Sequence, residues 1–168
     1  MSLGGRCGAF DDHLRAWKAF EPGLVDWLRA QSDVVPCVAK GLRDARTAAD
    51  WNMFERYLIA ASVHPSSDYT RLLCEVLDER RDDMNSEAIV DALDPIADPA
   101  AIGCLRRAIT WIPDWDEYGQ LARKAVYALE RIGTQEAIAA IGEEVTDGLP
   151  FKVTEAAAAV LGSSTARQ

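Results

Sequence analysis

Two stretches decide how this chain folds: ALDPIADPAAIGCL at 92–105 and ALERIGTQEAIAAI at 128–141. Laid over one another, they place Ala92 on Ala128, Leu93 on Leu129, Ile96 on Ile132, Ala101 on Ala137, Ile102 on Ile138 and Leu105 on Ile141. The offset is 36 at every position. Each stretch has apolar residues at helical spacing, then a turn signal (Asp98-Pro99 or Gly133-Thr134), then a second apolar run. A helix, a tight turn and another helix are therefore written twice.

The same unit extends in both directions. A step of 33 towards the N-terminus sets Ile59, Val63, Tyr69, Leu72 and Val76 beneath Ala92, Ile96, Ile102, Leu105 and Ile109. A further step of 34 reaches Val35, Val38 and Leu42, and a forward step of 29 from Leu129, Ile132 and Gly133 reaches Ala158, Leu161 and Gly162. Periodicity and punctuation predict a short helix near 10–20, a Pro22-led helix over 22–31, then 33–45, 48–63, 67–80, 86–97, 99–111, 116–132, 134–146 and a Pro150-led helix over 150–161. Pro95, inside 86–97, is expected to kink or shorten its helix. One helix pair cannot bury both faces, so neighbouring pairs must stack.

The segment ARKAVYALERIGTQEAIAAI (122–141) resembles the short HEAT-like repeat of phycobilin lyases and many small bacterial proteins. Residues 121–141 match it well, 88–109 match with Asp98-Pro99 in the turn, and 20–80 match by pattern. The Trp-Leu-Gly-Tyr series of TPR repeats and the Thr-Pro-Leu-His of ankyrin repeats are both missing. The resemblance implies an all-α, right-handed α-solenoid of about four helix pairs in one domain over 1–168. The pairs would span about 22–45, 48–80, 86–111 and 116–146, closed by a capping half-repeat at 150–162. Residues 1–20 would form an N-terminal helix, with MSLGG read in part as a tag remnant.

Charge narrows the partners. The net charge is −9, from 18 basic and 27 acidic residues. Residues 1–84 carry 11 basic and 14 acidic side chains, and residues 85–168 carry 7 and 13. Such a field repels phosphate backbones and anionic lipid, which excludes nucleic acid and membrane as unguided partners and favours a protein or peptide with a basic surface. Apolar residues make up 49% of the chain, yet no run reaches the ~20 apolar residues needed to span a bilayer. The start carries no secretory h-region, so the cytoplasm is the expected location. Cys7, Cys37, Cys74 and Cys104 lie about thirty residues apart without a CxxC pair, and are expected to be reduced, buried thiols.

Chemistry has few footholds. His13 sits in the first helix; His64 lies before Pro65 with Ser62, Ser66 and Ser67, residues that serve helix caps more readily than nucleophilic attack. Gly4-Gly5-x-x-Gly8 precedes no strand and carries no Lys-Ser/Thr, so no phosphate loop is read there. No catalytic residue, metal or cofactor is assigned. The resemblance implies two enzymatic alternatives, bilin attachment and excision of damaged DNA bases. Trp111, Asp114 and Trp115 echo the Trp and Asp of HEAT-like glycosylases, but the basic groove such enzymes use is missing from the acidic later repeats.

Binding is the leading reading: a non-catalytic adaptor. In a HEAT-like stack the second helices line the concave face, which would present Glu75, Asp78, Glu143 and Glu144 with Arg106 and Arg107 between them. The joint WIPDWDEYG (111–119) adds Trp111, Asp114, Trp115 and Tyr118, with Asp114 or Asp116 capping the helix that follows. A sharper alternative is an immunity- or antitoxin-type inhibitor of a basic toxin, suggested by size and charge alone.

Overall fold

The computed structural model describes residues 3–17, 23–145 and 148–165. Every regular element among them is helical: α1 (Leu3–Ala16), α2 (Leu24–Arg29), α3 (Val35–Thr47), α4 (Trp51–Val63), α5 (Thr70–Asp78), α6 (Ser86–Ile96), α7 (Ile102–Ile109), α8 (Gln120–Ile132), α9 (Gln135–Glu144) and α10 (Phe151–Thr165). Short 3-10 turns, Ser67–Tyr69 and Pro99–Ala101, lead into α5 and α7.

The two echoing stretches form one device. In α8, Leu121, Ala122, Ala125, Val126, Ala128 and Leu129 are buried at helical spacing. Gly133 then turns left-handed (φ 69°) and donates its N–H to the Leu129 carbonyl, and the Thr134 hydroxyl accepts the Ala137 N–H at 3.2 Å to open α9. At the α6–α7 junction Ala97 makes the same turn at φ 51°, donating to the Leu93 carbonyl, while Asp98 accepts the Ala100 N–H at 3.0 Å. Pro95 occupies the last turn of α6 and α6 ends one residue later, so the helix stops and does not kink there. Alanine tolerates the left-handed region poorly and glycine does not. Ala97→Gly should therefore raise stability by about 0.5–1 kcal/mol and Gly133→Ala lower it by about 1 kcal/mol; urea unfolding midpoints at constant m report both.

Packing follows a ladder. α2 contacts α4, α4 contacts α6, α6 contacts α8 and α8 contacts α10; α5 contacts α7 and α7 contacts α9. Crosswise, α3 lies on α4, α5 on α6, α7 on α8 and α9 on α10. The core runs continuously between these rows, with Phe54, Leu58, Tyr69, Leu73, Leu93, Leu105 and Ile109 fully enclosed. α1 packs on α3 and α4: Asp11 accepts from the Tyr57 hydroxyl at 2.8 Å, Arg56 donates to the Leu14 carbonyl, and Arg15 pairs with Asp50 at 3.5 Å.

Three expectations are corrected. The first helix starts at Leu3 rather than near residue 10, so Gly4, Gly5 and Gly8 are helical. The end of the expected 10–20 helix, the Pro22 start, residues 1–2 of the tag reading and residues 146–147 lie outside the described residues. The helix expected over 116–132 begins at Gln120, because both oxygens of Asp116 are taken by the N–H groups of Gln120 (2.7 Å) and Leu121 (2.9 Å) and the chain before them runs as turns.

The largest correction concerns the cysteines, all four of which are bridged: Cys7–Cys37 joins α1 to α3, and Cys74–Cys104 joins α5 to α7. Each pair is 30 residues apart in sequence, with Cα atoms 4.9 and 5.4 Å apart. That is within bridging range, because helices one repeat apart pack side by side. No helix among the described residues is long and apolar enough to cross a membrane.

Candidate functional site

The row formed by α5, α7 and α9 carries four of the acids that the sequence assigns to binding, Glu75, Asp78, Glu143 and Glu144. Each of them already has a partner. Arg46 of α3 donates to Glu75 of α5 at 2.6 Å and to Glu79, just past the end of α5, at 2.7 Å, and Arg71 donates to Glu75 at 3.0 Å. Arg107 of α7 grips Asp78 with two bonds of 2.9 and 2.6 Å, and Arg106 reaches Glu143 at 3.0 Å and also Glu144 on α9. Hydrogen bonds from Arg46 and then Arg71 hold the Glu75 carboxyl below its ordinary range; the bond to Glu144 raises Arg106, and the bond to Asp78 raises Arg107. The helices on the other side are laced in the same way, Lys124 of α8 pairing with Glu87 and Asp91 of α6.

The result is a lattice of alternating charge in which Glu75, Asp78, Glu143 and Glu144 are shared with arginines. Its pairs between helices are 29 to 38 residues apart in the chain, close to the repeat length. Exposed pairs of this kind add little stability. What they change is the field: a partner approaching these acids meets guanidinium groups beside them.

The 111–119 joint is different. Trp111 is half-buried against the core, with the Arg80 guanidinium 5.6 Å from its ring centre. Pro113 is buried, and Asp116, only 4% exposed, spends its carboxylate on the start of α8. These residues make the joint. Trp115 is 49% exposed and Tyr118 66% exposed, and Asp114 and Glu117 beside them are exposed, with no ion pair or hydrogen bond to their side chains among the described residues.

Gly119 presses this loop onto α10: a β-carbon there would lie 2.6 Å from Val153 Cγ2 and 3.1 Å from Pro150 Cγ. Phe151, 72% exposed, stands next to Pro150 on that first turn, with Lys152 above its ring. Phe151 and Glu117 were absent from the sequence-derived set. A large aromatic directly after Pro150, on the first turn of a helix, was the available signal. Trp115 and Tyr118 are thus exposed on the joint beside Asp114 and Glu117, and Phe151 is exposed on the first turn of α10, the helix that the joint touches through Gly119.

The histidines are held in structural contacts. His64 Nε2 lies 2.7 Å from the Leu28 carbonyl, Ser62 donates to the Ile59 carbonyl, and Ser66 accepts the Asp68 N–H. His13 stacks on Trp27 at 3.8 Å. Comparison with protein-family models, with curated proteins and with solved structures returned no match to this chain.

Proposed function

We propose that this chain is a non-catalytic α-solenoid of HEAT-like pairs that binds a protein or peptide with a basic surface. Support for this reading comes from two rows of alternate helices joined crosswise and from ion pairs and disulfides one repeat apart. The observation that carries the binding role is the rim around Trp115: exposed Trp115, Tyr118 and Phe151 beside unpaired Asp114 and Glu117. Aromatic anchors supply contact area, and free carboxylates supply charge complementarity to Lys or Arg. The acids of the α5 and α9 surface serve as a secondary contact at most, since Arg46, Arg71, Arg106 and Arg107 already neutralise them.

A cytoplasmic location, expected from the sequence, requires two disulfides to form against a reducing pool, so compartment and thiol state must be tested together.

Titration with a Lys/Leu-rich amphipathic peptide tests the binding reading. Trp115→Ala should weaken binding about 30-fold, the effect of losing an aromatic hot spot. Asp114→Asn with Glu117→Gln should weaken it about three- to five-fold and flatten its salt dependence. Affinity unchanged in Trp115→Ala, or insensitive to salt in the parent protein, would remove the rim as the contact.

A further inference from the structure

We infer that the groove between α3 and α5 binds a phosphate-type dianion, held between the guanidinium groups of Arg43 and Arg71. This open groove of about 600 Å³ is lined by Arg43, Arg46 and Thr47 from α3, and by Asp68, Arg71 and Glu75 on or just before α5. Arg43, Arg46 and Arg71 face Asp68 and Glu75 here, and Arg46 also holds Glu79, so the spot is close to neutral on a chain of net −9.

The three arginines are not equivalent. Arg46 is spent on Glu75 and Glu79, and in doing so holds Glu75 as a strut. Arg71 gives only its Nε to Glu75, which leaves both terminal nitrogens free, and its side chain is 93% exposed. The Arg43 side chain has no ion pair or hydrogen bond among the described residues.

Two unsatisfied guanidinium forks facing one groove match a tetrahedral dianion, whose oxygens can accept from both at once; a monocarboxylate satisfies one fork only. The overall negative field repels polyanions, which restricts the ligand to a single phosphate group, either on a small solute or on a side chain of a partner. Asp68 opposes the ligand from the groove wall and limits its affinity. The site lies on α3 and α5, whereas the aromatic rim joins α7, α8 and α10, so either can fail without the other.

The probe is inorganic phosphate at constant ionic strength, read on the arginine Nε–Hε resonances of the whole chain. Arg43 and Arg71 should shift together and saturate with one dissociation constant. Arg43→Gln and Arg71→Gln should each weaken that constant at least tenfold while far-UV circular dichroism stays unchanged, and Arg29→Gln, on α2 and outside the groove lining, should leave it unaltered. Acetate should bind at least tenfold more weakly. A phosphoserine peptide binding more than tenfold tighter than phosphate would assign the ligand to a partner's side chain; equal affinities would assign it to a free solute. Shifts that grow linearly without saturating, shifts equal at Arg29, or acetate binding as well as phosphate would each overturn the site.

Discussion

Removing either disulfide should cost about 3–4 kcal/mol of stability, the loss of loop-closure restraint expected for a closed loop of 30 residues. The two loops, 7–37 and 74–104, do not overlap, so the effects should add. Full reduction then removes about 7 kcal/mol, comparable to the whole stability of an ordinary domain at about 5–15 kcal/mol. Paired replacements, Cys7→Ala with Cys37→Ala and Cys74→Ala with Cys104→Ala, should each lower the melting temperature by roughly 10 °C. The unfolding midpoint with and without reductant, combined with mass spectrometry after alkylation of the unreduced protein, checks this. Four alkylated thiols together with a melting temperature indifferent to reductant would show that the bridges do not form.

The second large effect lies where α3 crosses α4. Gly41 is buried, and a β-carbon there would fall 2.0 to 2.4 Å from the ring atoms of Tyr57. The ring cannot swing aside: Tyr57 is 3% exposed, and its hydroxyl is fixed on Asp11 of α1. Burial, reinforced by that bond, pushes the Tyr57 hydroxyl pKa upward, so it stays a donor. Gly41→Ala should therefore cost about 3 kcal/mol by forcing the two helices apart. On a Tyr57→Leu background the same substitution should cost under about 1 kcal/mol, a coupling that a denaturant double-mutant cycle measures. A cost within about 0.5 kcal/mol of zero in the parent would contradict the close approach.

Much of this architecture can be read in the chain because the determinants are local. Gly133-Thr134 and Asp98-Pro99 set their turns through bonds to residues two to four positions away, and the apolar spacing of 121–129 selects the buried face. What escaped depends on contacts one repeat away. Arg46 opposite Glu75, Arg107 opposite Asp78 and Cys74 opposite Cys104 are each 29 or 30 residues apart. Outward positions along single helices show the acids and hide the arginines that face them.

The start of α8 was misplaced for another reason. Asp116 resembles an ordinary cap for a helix opening at once, yet it reaches forward to Gln120 and Leu121, leaving Trp115 and Tyr118 on a loop. The rim therefore exists because the helix begins late. Phe151 joins it only through the packing of Gly119 on Pro150 and Val153.

The most direct test of the central claim is to map the contact. Backbone amide shifts should be followed while the Lys/Leu-rich peptide is added to the intact, oxidised chain. Residues 114–119 and the first turn of α10 should move first and furthest, with the Trp115 indole N–H among them. Amides around Glu75, Asp78, Glu143 and Glu144 should lag behind. Shifts centred on those four acids, with the 114–119 loop unmoved, would contradict it.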